Sequence, residues 1–297
     1  MKKDDYHYDF RKKNSFLFVL PALFFIFVFM VYPLARSFYL SLTEYNFVFD
    51  NEPRFIGFSN YIKLFSDKYF IDALSNTLFF SFCFFPLLIV ISFTLALLIN
   101  KRLKGVAIFR TSIFLPVIVP LALTGIIFQW ILNENYGLVN HFLVNILNMP
   151  QLACNWLTHE KWAMYSIILI SLWKYVGIEM ILFLAGLQTI PKELHEMARM
   201  DGLNPLQEIF YVIIPNLKET FVVAGIWGIL TSLKIFEPSF VMTQGGPGTS
   251  TLVLYQYFWQ SAFKYYDMGY ASAIGYFMGL MVITLSLINV WLAQKKV

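Results

Sequence analysis

The chain has 297 residues, of which 58% are hydrophobic, 19% aromatic and only 13% charged. A water-soluble domain is about 45–50% apolar and about 25% charged, and one soluble core of this length does not hide 32 Phe. A soluble enzyme, a disulfide scaffold and a disordered chain are excluded, which leaves an integral membrane protein whose net charge of +4 matters less than its distribution.

Residues 1–13 carry Lys2, Lys3, Arg11, Lys12 and Lys13 ahead of an apolar run. That run is uncharged from Asn14 to Ala35, longer than the ~7–15 residues of a signal-peptide core, so it predicts a retained first membrane helix over about 14–38. A crossing takes about 20 apolar residues at ~1.5 Å each. On that measure further spans are predicted at about 73–100, 111–133, 162–189, 219–242 and 268–293. The fourth is interrupted by Lys174 and Glu179, the fifth by Lys234 and Glu237. Of the 22 Lys and Arg, 14 fall on the side of the N-terminus, six on the other side and two within spans. The bias predicts that both ends are cytoplasmic. The fold class is therefore an all-α integral membrane protein of six transmembrane helices, with 1–13 a cytoplasmic tail and 14–297 the transmembrane domain. Cys83 lies in an apolar run and Cys154 in a polar connection, so no disulfide is expected.

Motifs for chemistry are missing. A phosphate-cradling Walker A loop needs Gly-Lys followed by Ser or Thr, and this chain has no Gly-Lys dipeptide. His195-Glu196 begins a zincin-like string, but Arg199 stands where the second His ligand belongs. No catalytic residue and no metal ligand is assigned. The basic N-terminus lacks interleaved aromatics and suits an anionic lipid leaflet rather than nucleic acid.

The inner connection 191–216 carries the most information. Pro191 suits a helix start, and Leu194, Met197, Ala198 and Met200 repeat at helical spacing as one apolar stripe. Gly202 offers a positive-φ stop. Asn204-Pro205-x-Gln207 then has the form of a capping box, and Pro215 breaks the chain before the fifth span. Two short helices at a fixed angle result. They either lie in the headgroup layer or form a knob that docks into another protein, with Glu196, Arg199 and Asp201 as its polar rim.

Here the segment resembles the EAA loop of binding-protein-dependent ATP-binding-cassette importers: Glu196-Met197-Ala198, then Gly202, then Val212-Ile213-Ile214-Pro215. Thr243-Gln244-Gly245-Gly246-Pro247-Gly248 with Thr251 resembles a stretch of the carbohydrate-importing members. Leu20-Pro21-Ala22, Phe55-Ile56-Gly57-Phe58 with Asn60-Tyr61, Asn76-Thr77, Phe114-Leu115-Pro116 and Gly269-Tyr270-Ala271 agree with that branch, and with the type of the maltose importer's first permease. The resemblance implies a type I importer permease fold in a bacterial or archaeal plasma membrane. It implies a second homologous permease, two ATPase subunits that hold the ATP and Mg, and an extracytoplasmic sugar-binding protein meeting Gly245, Gly246 and Pro247. Glu196, Met197, Ala198, Arg199, Asp201, Gly202 and Pro215 would couple to an ATPase.

Intramembrane charges should face a wet cavity or a partner, since a lone charge at mid-bilayer costs about 2.5–3.5 kcal/mol on insertion scales. One reading is Lys–Glu pairs that hold spans together. The other is a sugar surface, which needs hydrogen-bonding groups and flat aromatic faces. The residues available are Ser171, Trp173, Lys174, Tyr175, Ile178 and Glu179 on the fourth span and Thr231, Ser232, Ile235 and Glu237 on the fifth. The function these features point to is one half of the pore of an ATP-driven sugar importer. The alternatives are an importer of another solute or a stand-alone ion-coupled carrier, which would need no docking knob.

Overall fold

A computed structural model describes residues 18–100 and 105–294. The tail 1–13, the first residues of span one, Lys101, Arg102, Lys104 and the Lys295–Lys296 end lie outside the described residues. The chain divides into two compact units, Met1–Lys63 with Gln260–Tyr276, and Leu64–Trp259 with Phe277–Val297.

In the first unit, α1 (Phe18–Ser41) is an apolar helix with a π-turn over Phe27–Val31, and none of its most apolar window is covered by the chain. After it, Thr43–Glu44 and Arg54–Phe55 pair antiparallel. Asn60 explains its own motif: buried, it donates to the carbonyls of Ser41 (3.0 Å) and Thr43 (2.8 Å) and ties the strand to the end of α1. Tyr61 shares a 2.8 Å hydrogen bond with Ser41. Gly57 has φ +61°, which glycine adopts without strain. The Thr43 carbonyl lies where a Cβ on Gly269 would stand, so the motifs of the first outer loop and of the last span meet.

The second unit is built around α5 (Glu160–Leu187). Two-thirds of its apolar window is buried, against 28% for α2 (Lys68–Ile99) and 22% for the last helix, α11 (Met268–Gln294). Lipid tails are as apolar as Leu, so spans gain little hydrophobic drive from one another and hold together by close packing. Phe80, Phe84 and Leu88 of α2 pack with Ile167, Ile168, Leu172 and Val176 of α5 in one buried cluster. Gly177 lets α3 (Val106–Ile118) touch α5 through backbone: a Cβ there would sit 2.6 Å from the Ile113 carbonyl oxygen.

Five described helices are long and apolar enough to cross a membrane, or six when α3 and α4 (Leu121–Ile131) count as one. The straight third span predicted over 111–133 is bent by 99° between them. Proline is the cause. The helical partner of the Pro116 carbonyl is the amide of residue 120, and Pro120 has no N–H. Val119 turns extended, with ψ 129°. In lipid the freed carbonyls need donors, and Lys174 of α5 supplies them. Its ammonium, buried, donates to the carbonyls of Pro116 (2.8 Å), Val117 (2.9 Å) and Val119.

The fifth span is also broken, into α8 (Lys218–Leu233) and α9 (Glu237–Met242). Pro238 cannot bond the Lys234 carbonyl one turn back. Lys234 and Glu237 therefore flank a break and do not share the helical face that their spacing of three predicts. Both are exposed.

Lys174→Met removes the donor for three carbonyls in a place water does not reach. It should cost about 2–4 kcal/mol, since a charged hydrogen bond is worth about 1.5–3 kcal/mol. Trp173→Phe, one residue away on a side chain nearly half exposed, should leave stability unchanged. Thermal unfolding in detergent compares the two, and equal midpoints would remove Lys174 as the splint of the bend.

Candidate functional site

Three places carry the residues singled out by sequence. They are an elbow at one end of α5, a glycine-rich loop at the other end, and a stripe along α5 between them.

The elbow follows α5. Helix α6 (Lys192–Met200) ends in a left-handed turn: Gly202 has φ +77°, its N–H bonds the Arg199 carbonyl (3.1 Å) and the Leu203 N–H bonds the Ala198 carbonyl (3.0 Å). Nothing lies within 4 Å of a Cβ on Gly202, so the backbone angle alone selects glycine there. Helix α7 (Pro205–Glu208) starts in a complete capping box, the Gln207 amide to Asn204 Oδ1 and the Asn204 amide to Gln207 Oε1, both 2.9 Å. A π-turn over Ile209–Ile213 and a helical turn over Ile214–Asn216 carry the chain on into α8. The two arms are then locked by the His195 Nδ1–H donating to Glu208 Oε1 at 2.6 Å. This contact was illegible in the sequence, because residues 13 apart meet only after the Gly202 turn has formed.

The apolar stripe predicted on α6 divides. Ala198 is buried and Leu194 packs into the core beside Leu187, Ile190 and Ile213, whereas Met197 and Met200 face outward, 53% and 80% exposed. The reason is angular: 194 and 198 lie four apart and 197 and 200 three apart, on different sides of a helix pinned at both ends. Leu206, Phe210 and Tyr211 are exposed on the second arm, so the elbow shows an apolar surface. Glu196, Arg199 and Asp201 are exposed as the predicted rim, and Pro215 is exposed beyond it. Glu196, His195 and Arg199 also line a groove of about 580 Å³ shared with Thr94 of α2 and with Asn100, which caps its end.

At the opposite end, Gly245 (φ +89°) and Gly248 (φ +58°) turn the loop left-handed. The chain is braced from below: Thr251 donates to the Gly246 carbonyl (2.7 Å), and Asn76 of α2 donates to the carbonyls of Thr249 (2.6 Å) and Leu252 (2.9 Å). Thr77 accepts the Leu254 N–H at 2.8 Å. Asn76-Thr77 and the Gly-Gly-Pro stretch are thus one constellation. Gly245 is buried, Gly246 and Pro247 are half-buried, and Gln244 and Gly248 form the exposed rim.

Along α5, Ser171, Lys174, Tyr175 and Ile178 lie at i, i+3, i+4 and i+7 on one helical face, with Glu179 a turn beyond Tyr175. Ser171 and Glu179 are buried. The Ser171 hydroxyl and both Glu179 oxygens have no hydrogen-bond partner among the described residues. Lys174 is committed to the α3–α4 bend, so it forms no pair with Glu179. Tyr175 packs edge-on to Phe84 of α2 (6.1 Å), and Glu237, which opens α9, is exposed. Ile178 is half-buried. Trp173 points off the stripe, edge-on to Phe128 of α4 at 5.2 Å. On α8, Thr231 donates to the Trp227 carbonyl (2.8 Å) and buried Ser232 to that of Ile229 (3.0 Å), while Ile235 is buried in the α2–α5 core. Tyr175 is half-buried and Glu237 exposed, whereas Ser232 and Ile235 lie inside the chain.

Comparison with known proteins follows this geometry. Residues 88–295 match the family described as binding-protein-dependent transport system inner membrane component. The chain is 34% identical to an arabinooligosaccharide transport permease of Bacillus subtilis, over 95% of this chain and 89% of the relative. It is 33% identical to a lactose transport permease of Rhizobium radiobacter, over 95% of each. Its fold resembles a chain of a bacterial ABC transporter that imports the acidic polysaccharide alginate, with a TM-score of 0.83, 22% identity and 99% of each chain covered. With the elbow, the glycine-rich loop and the match over more than two-thirds of its length in place, the chain belongs to the family of binding-protein-dependent transport system inner membrane components, the permeases of ABC importers.

Proposed function

We propose that this chain forms one half of the pore of an ATP-driven importer that carries a sugar or oligosaccharide across the plasma membrane by alternating access. The observation that carries the reading is the elbow: a doubly capped, cross-locked pair of helices with an apolar outer surface, continuous with α5 and α8. A second permease completes the pore, and two separate ATPase subunits hold ATP and Mg. Each ATPase grips one elbow, through Met197, Met200 and the rim of Glu196, Arg199 and Asp201. In this orientation the elbow and both termini are cytoplasmic, and the Gly245–Gly246–Pro247 loop faces an extracytoplasmic binding protein. The sugar class is supported by the relatives named for arabinooligosaccharides and lactose. It is supported too by a fold neighbour seen in complex with a periplasmic protein bound to an alginate pentasaccharide.

The mechanism needs a stiff lever. A partner shifts a conformational equilibrium only by its difference in binding energy between the two states, and a lever that bends dissipates that difference locally. The cap at Gly202, the capping box and the His195–Glu208 hydrogen bond each oppose bending. On the substrate side, Tyr175 supplies an aromatic face and Thr231 a hydroxyl. Glu179 is an orphaned acceptor, a group whose cost is removed when sugar hydroxyls reach it in another state of the cycle.

Glu196→Lys and Gly202→Pro should each abolish uptake while the protein still reaches the membrane. Binding-protein-stimulated ATPase at the wild-type rate in the reconstituted complex of either variant would count against the elbow. A double-mutant cycle of His195→Ala and Glu208→Ala should return an interaction of about 1 kcal/mol, as for a partly buried hydrogen bond. Both single variants should hydrolyse ATP with less solute moved per ATP, and additive effects with unchanged stoichiometry would remove the lock. Tyr175→Ala should lower substrate uptake at least tenfold without changing membrane insertion, and full uptake would take Tyr175 out of the path.

A further inference from the structure

At the loop end of α5 lies a cleft of about 560 Å³ that the solute path described above does not use. Its volume falls within the ~300–1,000 Å³ of small-ligand sites. Trp130, Tyr136 and Trp156 supply aromatic walls, and Gln129, Glu134 and Gln244 supply polar ones. Trp130 and Tyr136 are about two-thirds exposed. These large rings are left uncovered by the chain, and each shares the cleft with amide and carboxylate groups.

The cleft is held open by a buried staple. Asn140, 9% exposed, donates to the carbonyls of Glu134 and Cys154, each at 3.1 Å, and its Oδ1 accepts the Trp156 indole N–H at 2.8 Å. The Trp156 ring also packs edge-on to Trp162, with centroids 6.0 Å apart. One side chain thus ties the Glu134 segment to the Cys154–Trp156 segment and fixes the plane of one indole before any ligand arrives. Binding to a preorganised ring loses little side-chain entropy. Glu134 accepts from the Thr158 hydroxyl at 2.8 Å, and a carboxylate offers about four lone-pair sites, so capacity remains for donors from a ligand. Gln129 spends its amide N–H on the Met242 carbonyl (3.2 Å), which orients its carboxamide at the wall.

Fixed aromatic faces beside a carboxylate and carboxamides match one ligand chemistry: a ring with an apolar C–H face and a rim of hydroxyls. An anionic headgroup is opposed by Glu134. We propose that this cleft is a carbohydrate-binding entry subsite, which takes the leading sugar residue of an oligosaccharide beside the Gly246–Pro247 turn before it enters the span region. The inference rests on the sugar reading above and adds a second contact point, on α4 and the connection between α4 and α5.

The test uses the assembled transporter in lipid nanodiscs without its binding protein. Cys83 and Cys154 are replaced by serine, and a fluorophore is placed on Asn135→Cys, an exposed position beside Glu134. The probes are malto-, arabino- and cello-oligosaccharides of two to six units. At least one should change the fluorescence saturably. Trp130→Ala and Glu134→Gln should each weaken that response at least tenfold and raise the KM for uptake of the same sugar, with kcat and thermal midpoint unchanged. Tyr175→Ala should leave the response intact. A sugar that the wild-type transporter imports, giving no response or an equal response in both variants, overturns the subsite and leaves the sugar reading standing. Variants that weaken binding of the unloaded binding protein instead make the cleft a protein-docking pocket and overturn the proposal. If the wild type imports no sugar with any loaded binding protein, the sugar reading and the subsite fall together.

Discussion

Gly202 sits at φ +77° between two helices that have to keep one angle. Any L side chain there resists the turn that lets the Leu203 N–H reach the Ala198 carbonyl, and without that turn His195 and Glu208 do not meet. The capping box at Asn204 and Gln207 depends on the same turn to point α7 in its direction. The apolar outer surface of Met197, Met200, Leu206 and Phe210 is useful to a partner only because the backbone beneath it is held. Local backbone chemistry therefore sets how stiff the elbow between α5 and α8 is.

A second constraint acts inside the bilayer, where every backbone polar group needs a partner from the protein. Pro120 and Pro238 each break a span, and the two breaks are handled differently. The first is deep in the unit and is splinted by Lys174. The second has no such splint among the described residues, and Lys234 and Glu237 beside it are exposed. The same reasoning gives meaning to Glu179. It lies two turns or fewer from Lys174 on α5, yet it is left alone with both oxygens unpartnered among the described residues, next to Gly228 of α8.

How much of this was legible beforehand follows from the range of each interaction. The helical spans, the Gly202 stop and the Asn204–Gln207 box rest on near-neighbour rules and were readable in the sequence. The motif residues Asn60, Asn76, Thr77 and Gly269 were visible as landmarks, but their work, tying loops to helix ends, involves partners up to 226 positions away, from Thr43 to Gly269. The third and fifth spans were readable as apolar runs, but their breaks were not, because the runs were counted without charging Pro120 and Pro238 for the carbonyls they orphan. The division of the α6 stripe into buried Ala198 and exposed Met200 turns on which side the core lies, and composition does not encode that. The sequence offered Lys174 a wet cavity, a partner charge or a sugar, whereas three backbone carbonyls take up its ammonium.

The most direct measurement is contact at Met200, the most exposed apolar side chain on α6. A photo-crosslinking amino acid at that position, activated in native membranes, should capture an ATP-hydrolysing subunit, identified by mass spectrometry, with a yield that changes when a non-hydrolysable ATP analogue is added. Adducts with phospholipid alone, insensitive to nucleotide, would mean that the elbow lies in the headgroup layer and is gripped by no motor.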